Sequence, residues 1–204
     1  ILVTVLLSSG ASVVLTAEAA GTSLSGTYTV AAGQTTSDLT VVGYGAVSAT
    51  DAAGNAMVAG ALPSGSNNIG GAKDIVIDTT APVLSMSLAP MLVEAGGFNN
   101  AIGGTPISSL TITAQDQNTV TISTAGWTLV SGTTYSKAGT YGTANLNTAS
   151  GLLSYTLNNT ATATQQLDDG EVGTETFTIT VTDAAGNSTT QDAVFSIQIG
   201  RAHV

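Results

Sequence analysis

The sequence predicts an all-β protein made of two tandem sandwich modules, and three observations support this fold class. Polar and apolar residues alternate, most clearly at residues 175–182, where Phe177, Ile179 and Val181 point to one side of a strand. Hydrophobic residues make up 43% of the chain but aromatic residues only 4%, so small β-branched and aliphatic side chains must build the cores. A sustained helical period is missing, and residues 160–167 could form one helical turn.

The candidate strands follow one another along the chain and are bounded by Gly, Asn, Asp and Ser, which are typical turn residues. In the first half they are residues 2–7, 12–17, 23–30, 39–47 and 72–77. In the second half they are residues 84–88, 110–113, 119–124, 143–146, 152–157, 174–182 and 193–198.

A boundary is predicted at residues 77–82, because Pro82 cannot donate to a strand ladder and holds the preceding residue extended. The pentapeptide Asp-Ala-Ala-Gly-Asn occurs once in each half, at residues 51–55 and 183–187. Such an internal repeat is typical of tandem related modules. We therefore expect one module at residues 1–80 and another at residues 81–198.

The last six residues, 199–204, differ in style from the rest and contain the chain's one histidine, His203. They match the translation of a common sequencing-adapter string. We expect them to be no part of the fold.

The net charge of the chain narrows the classes of molecule that it can bind. Thirteen acidic residues stand against three basic ones, for a net charge of -10, so nucleic acids and anionic membranes are poor partners. The opening apolar run, residues 1–7, is too short to span a bilayer. With few cations available for ion pairing, the carboxylates either stay solvated or bind a hard cation, for which Ca²⁺ is the natural candidate.

The first half resembles the bacterial Ig-like repeats of giant adhesins and other type I secreted proteins. The resemblance is carried by residues 28–34 (Tyr-Thr-Val-Ala-Ala-Gly-Gln), 51–55 and 75–82 (Ile-Val-Ile-Asp-Thr-Thr-Ala-Pro). It implies that the N-terminal strands of this module are truncated.

The second half resembles the VCBS repeat, a cadherin-like module of the same long bacterial proteins. The matching stretches are residues 94–97, 125–127, 135–143, 151–158 and 176–183. Together the two resemblances imply secretion to the bacterial cell surface, with neighbouring repeats of the same chain as partners.

A calcium site is predicted where the chain enters the second module. In an odd-stranded antiparallel sandwich, the turns that follow even-numbered strands lie at the pole where the chain enters. This would bring Asp183, in the last hairpin, and Asp116, in the loop 114–118, close to Asp78 of the linker. For Asp183 the alternative is a pure turn role, since Asp and Asn bond nearby backbone groups and Gly186 accepts a positive φ. The resemblance to calcium-stiffened adhesin linkers also favours metal ligation.

Two further acidic positions are weaker candidates. By the same argument Asp51 would face an upstream module, and we include it as a tentative Ca²⁺ ligand. The run Asp168-Asp-Gly-Glu171 could form a calcium loop, although a solvated turn before the next strand is the favoured interpretation.

An enzyme is not predicted. The chain has no cysteine, and its one histidine lies in the excluded tail, so a nucleophile lacks an obvious base. Trp127, Tyr135, Tyr141 and Tyr155 could line a sugar-binding face, but core packing is the favoured role in so aromatic-poor a module.

The favoured hypothesis is a structural or adhesive repeat that Ca²⁺ stiffens at the junction between modules. One alternative is a lectin-like module that binds a polysaccharide or a host protein through exposed aromatic residues beside calcium. Another is a spacer that binds no metal.

Overall fold

The computed structural model describes residues 1–17, 23–51, 53–58, 60–96, 102–167 and 171–198. By its internal contacts the chain divides into two compact units, residues 1–80 and residue 81 onward. Strands are the main regular secondary structure in both units, which confirms the predicted all-β class. None of the helices in the described ranges is long and apolar enough to cross a bilayer.

The first unit is built on a three-stranded antiparallel sheet. Its strands, in the order β2-β1-β3, are β1 (Leu2–Leu7), β2 (Ser12–Thr16) and β3 (Val41–Ser48). Alternation in β1 buries Val3, Val5 and Leu7 on one face, where Leu39 and Ile77 pack against them. Each such side chain contributes about 1.5–3 kcal/mol when fully buried.

The strand predicted at residues 23–30 is wrong. This segment meets β2 through a single antiparallel bridge, between Thr16 and Ser25. At Gly26 an added Cβ would lie 2.4 Å from the carbonyl oxygen of Val14, so the segment approaches β2 too closely for a regular strand of larger residues.

The strand predicted at residues 72–77 is also wrong. A 3-10 turn (Gly65–Asn67) and a short helix α1 (Ile69–Ala72) come first, and the side chain of Asn68 accepts the first helical N–H at 2.7 Å. At the end of the predicted strand, only Ile77 forms a bridge, to Thr36.

The second unit is a β-sandwich of two sheets. The larger sheet has the order β4-β6-β11-β10-β9-β8, with β4 (Val83–Met86), β6 (Ile107–Gln115), β8 (Thr128–Ser131), β9 (Thr134–Ala138), β10 (Gly142–Asn147) and β11 (Leu152–Leu157). The smaller sheet has the order β5-β13-β12-β7, with β5 (Leu92–Val93), β7 (Val120–Ile122), β12 (Val172–Asp183) and β13 (Ser188–Gln198). A short helix α2 (Thr162–Gln165) lies within the predicted helical turn.

The core of the second unit lies between these sheets. The larger sheet contributes Leu110, Ile112, Ala144, Leu146, Leu153, Tyr155 and Leu157, and the smaller one contributes Leu92, Phe177, Ile179, Ala193, Phe195 and Ile197. The inward face predicted for Phe177, Ile179 and Val181 is confirmed, because all three are buried. Long strands β12 and β13 therefore fix the hairpin between them against a packed core.

Candidate metal centre

A tight turn at residues 183–187 closes the hairpin between β12 and β13. The backbone N–H of Asp183 donates to the carbonyl of Asn187 at 3.0 Å, and the N–H of Gly186 donates to the carbonyl of Asp183 at 3.2 Å. Gly186 has φ of +95°, a conformation that glycine adopts without the steric cost other residues meet. The turn role of this pentapeptide follows directly from its residues.

The same turn holds the carboxylate of Asp183 in place. Asn187 donates its backbone N–H to Oδ1 at 2.9 Å and its side-chain Nδ2 to Oδ2 at 2.8 Å. Asp183 is only 5% exposed, and burial opposes its ionisation, but the hydrogen bonds from Asn187, Gly186 and Ala185 outweigh burial and hold its pKa below the ordinary value. The buried carboxyl is therefore charged at neutral pH.

Asp116 lies beside Asp183. Its loop joins β6 to β7, and Val120 at the start of β7 pairs with Asp183, so the two segments meet. The N–H of Asn118 donates to Oδ1 of Asp116 at 2.9 Å and fixes the half-buried carboxylate. Carboxylate oxygens of Asp116 and Asp183 come within 4.8 Å of each other. We call these two residues the aspartate pair.

The aspartate pair has the chemistry of a hard-cation site. Two carboxylates at this separation repel, and a cation between them would relieve the repulsion. Each carboxylate oxygen offers more than one lone pair, so the hydrogen bonds from Asn187 leave acceptor capacity on Asp183. Turn formation and metal ligation are thus compatible roles. Ca²⁺ takes about six to eight oxygen ligands at about 2.3–2.6 Å, so the pair supplies part of a coordination shell.

The chain enters the second unit at the end of the sandwich that carries the aspartate pair. Thr189, two residues after the turn, donates its hydroxyl to the carbonyl of Pro82 at 2.6 Å. Val83 begins β4 and pairs with Gln115, the residue before Asp116. Two contacts therefore bring the start of this unit to the strand ends that carry the aspartate pair.

Asp78 belongs to the first unit, where its flanking residues are fixed. Ile77 exchanges two backbone hydrogen bonds with Thr36, at 2.8 and 3.0 Å, and the hydroxyl of Thr79 donates to the carbonyl of Gln34 at 3.0 Å. Asp78 is half-buried and accepts a hydrogen bond from the N–H of Thr80 at 2.9 Å. Its carboxylate is thus held at the end of the unit, four residues before Pro82.

Asp51 repeats the turn geometry in an exposed setting. Asn55 donates to both of its carboxylate oxygens at 2.8 Å, and Gly54 has φ of +87°. These bonds, led by that from the side chain of Asn55, hold the pKa of Asp51 below its ordinary value. Among the described residues, Asp51 belongs to no group of three acidic side chains close enough to share a metal.

The other candidates fall elsewhere. Residues 168–170 of the acidic run, and the tail at 199–204, lie outside the described residues. Trp127 packs against the ring of Phe177 with centroids 5.8 Å apart, and Tyr155 stacks on Phe195 at 5.3 Å. Tyr155 therefore lies in the core and the partly buried Trp127 packs against it, which is the packing role expected in a module with so few aromatic residues.

Sequence reasoning missed the buried polar pair of Glu175 and Tyr155. Glu175 is 8% exposed and accepts hydrogen bonds from the hydroxyl of Tyr155 at 2.8 Å and the N–H of Tyr141 at 3.1 Å. The alternation that places Phe177 in the core also points Glu175 inward, so the sequence pattern could have predicted this buried carboxylate.

Comparison with family models, curated proteins and solved structures finds no match to this chain.

Proposed function

We propose that the chain is a structural tandem repeat of a large secreted bacterial surface protein, stiffened by Ca²⁺ where its two modules join. The observation that carries this proposal is the aspartate pair, at the pole where the second unit receives the chain. The chain's net charge of -10 makes a divalent cation a favourable partner. The resemblance to Ig-like and VCBS repeats supports the setting on a cell surface.

Asp78 is the third ligand in this proposal. Four residues of extended chain span at most about 14 Å, so Asp78 stays within a short reach of Pro82. Pro82 is bonded to Thr189 beside the Asp183 turn. Backbone carbonyls and water complete the shell, and the ion ties the linker to the second module.

The mechanical effect depends on calcium concentration. Extracellular calcium modules bind with dissociation constants of about 10⁻⁴–10⁻³ M, and ~100-fold excess ion stabilises a bound state by about 2.7 kcal/mol. The site would stay empty in a calcium-poor cytoplasm and fill after secretion. Filling it converts a flexible joint into a stiff one, which holds a distal binding domain away from the cell.

Thermal melting tests the proposal. We expect millimolar Ca²⁺ to raise the melting temperature relative to EGTA, and Asp116→Asn to abolish most of that rise. Asp192→Asn is the control, because Asp192 lies on β13 and accepts a hydrogen bond from Thr178 on the outer face of the smaller sheet. An unchanged melting temperature in the wild type, or an equal loss in both variants, contradicts the proposal.

The lectin-like alternative required exposed aromatic residues beside calcium. Trp127 and Tyr155 instead pack on core phenylalanines. No specific observation favours sugar binding at the aspartate pair, and we propose the structural role there.

A further inference from the structure

The sequence pattern Asn-X-Ser/Thr, with X other than Pro, occurs twice in the chain, at residues 158–160 (Asn-Asn-Thr) and 187–189 (Asn-Ser-Thr). An asparagine in this pattern is the acceptor for N-linked sugars, and it must lie on the surface to be reached. We call residues 158–160 the first tripeptide and residues 187–189 the second tripeptide. Both belong to the second unit, but their side chains are held differently.

The second tripeptide is occupied by structural contacts. Asn187 is half-buried, and its Nδ2, the atom that a sugar would modify, donates to the carboxylate of Asp183 at 2.8 Å. The hydroxyl of Thr189 donates to the carbonyl of Pro82 at 2.6 Å. A transferase would have to break a hydrogen bond to a charged acceptor before it could modify Asn187.

The first tripeptide lies on an exposed but anchored segment directly after β11. Asn158 and Thr160 are both exposed. The backbone of Asn158 is fixed on both sides, because its N–H donates to the carbonyl of Tyr141 at 2.8 Å and its carbonyl accepts from the N–H of Ala161 at 3.1 Å. The fold therefore presents this asparagine to solvent in a defined position.

Hydrogen bonds hold the Asn158 side chain through its oxygen and leave its nitrogen open. Oδ1 accepts from the N–H of Thr160 at 3.0 Å and from the hydroxyl of Thr160 at 2.8 Å. Within the part of the chain that the structure describes, Nδ2 of Asn158 donates to no protein group. The hydroxyl that the pattern requires at its third position thus contacts the amide that would react.

We propose that Asn158 is the acceptor of an N-linked sugar and that Asn187 is not. The sugar donor is a nucleoside diphosphate sugar, and a glycosyltransferase of the producing cell carries out the transfer. Nδ2 attacks the anomeric carbon, a C–N bond forms, and the C–O bond to the diphosphate breaks. The nucleoside diphosphate leaves, and the amide gives one proton to a base of the transferase.

The glycan would project from the end of the sandwich opposite the aspartate pair. Leu152 pairs with Thr111 and Thr156 pairs with Ile107, so β11 runs away from the end of β6 that leads to Asp116. Modification of Asn158 therefore leaves the candidate calcium site untouched. It goes beyond the proposed stiffening and does not depend on it.

Sugar transfer to the folded full chain tests this proposal. The reaction contains UDP-glucose and a soluble N-glycosyltransferase that requires only Asn-X-Ser/Thr, and mass spectrometry of the intact chain and of its peptides locates the product. We expect one added hexose at Asn158, formed about tenfold or more faster than any product at Asn187, whose amide is bonded to a charged acceptor. Asn158→Gln should remove this hexose, and the rate at Asn158 should be the same in Ca²⁺ and in EGTA.

Synthetic peptides provide the matched control. Peptides of residues 153–164 and 182–193 contain the two tripeptides without the contacts of the folded unit, so we expect the transferase to modify them at similar rates. The preference for Asn158 should therefore appear only in the folded chain.

Four results would overturn this proposal. They are no hexose on the folded wild type, similar rates at Asn158 and Asn187 in the folded chain, the same preference in the two peptides, or a peptide of residues 153–164 that is no substrate. Peptide mapping of the wild type assigns the modified residue directly, so the comparison holds even if Asn158→Gln does not fold.

Discussion

Asn187 donates to both carboxylate oxygens of Asp183, from its backbone at 2.9 Å and from its side chain at 2.8 Å. Asn55 holds Asp51 in the same way in the first unit, with both bonds at 2.8 Å. The pentapeptide thus determines the turn in both places. Only the surroundings differ, because Asp183 is buried beside Asp116 and Asp51 is exposed.

This difference predicts unequal effects of removing the two asparagines. Asn187→Ala should lower the denaturant midpoint of the second unit, because a buried charged acceptor loses a donor. The chain's one tryptophan, Trp127, packs in that unit and reports its unfolding by fluorescence. Asn55→Ala is the control and should leave the fluorescence midpoint unchanged; equal shifts in the two variants would be inconsistent with this account.

Acid should destabilise the second unit. The pKa of Asp183 is lowered in the folded state, so its contribution to stability is present above the unfolded pKa of about 3.9 and is lost as pH falls through the folded value. We expect the melting temperature in EGTA to decrease as the pH is lowered below about 4. In Asp183→Asn this part of the decline should be smaller, and a variant that declines as steeply as the wild type would refute the assignment.

The buried hydroxyl of Tyr155 makes the stability of the second unit depend on pH at alkaline values as well. Burial, followed by the hydrogen bond to Glu175 and that residue's negative charge, raises the pKa of Tyr155 well above its ordinary value. Stability from this group is present below the unfolded pKa of about 10 and is lost as pH rises towards the folded value. Tyr155→Phe removes a donor to a buried carboxylate and should cost about 1–3 kcal/mol at neutral pH, measured by urea unfolding.

Tyr135→Phe is the matched control for this prediction. Tyr135 is half-buried on β9 and makes no hydrogen bond through its hydroxyl among the described residues. Its replacement should change the free energy of unfolding by less than about 0.5 kcal/mol. Similar losses in the two variants would show that the bond to Glu175 contributes little.

Thr189 should matter for calcium more than for folding. Thr189→Val removes the bond to the carbonyl of Pro82, which fixes the start of the second unit near the aspartate pair. We expect weaker Ca²⁺ binding by calorimetry with a modest loss of stability, of about 1 kcal/mol. Thr190→Val changes the neighbouring residue, which faces outward on β13 and should bind calcium like the wild type. Equal affinities for the two variants would argue against this role for Thr189.

The sequence predicted β12 well because its alternation is long and regular, and it predicted the Asp183 turn because Gly and Asn specify that geometry. It missed β8 and β9, whose residues show no clear alternation, and β5, which has two residues. Short edge strands are fixed by tertiary pairing, which local patterns do not contain.

The proximity of Asp116 and Asp183 was expected on a strand-count argument that the structure corrects. The Asp116 loop follows β6, the third strand of the second unit, and not the second. The two residues meet because Val120 pairs with Asp183, a long-range register that spacing along the chain does not reveal.

Small-angle scattering of the full chain, recorded in EGTA and in millimolar Ca²⁺, tests the central claim most directly. If calcium joins Asp78 to the aspartate pair, the ion should narrow the distribution of particle dimensions, and Asp78→Asn should remove that response while each unit keeps its fold. Indistinguishable scattering curves for the wild type in the two conditions would contradict calcium stiffening of the junction.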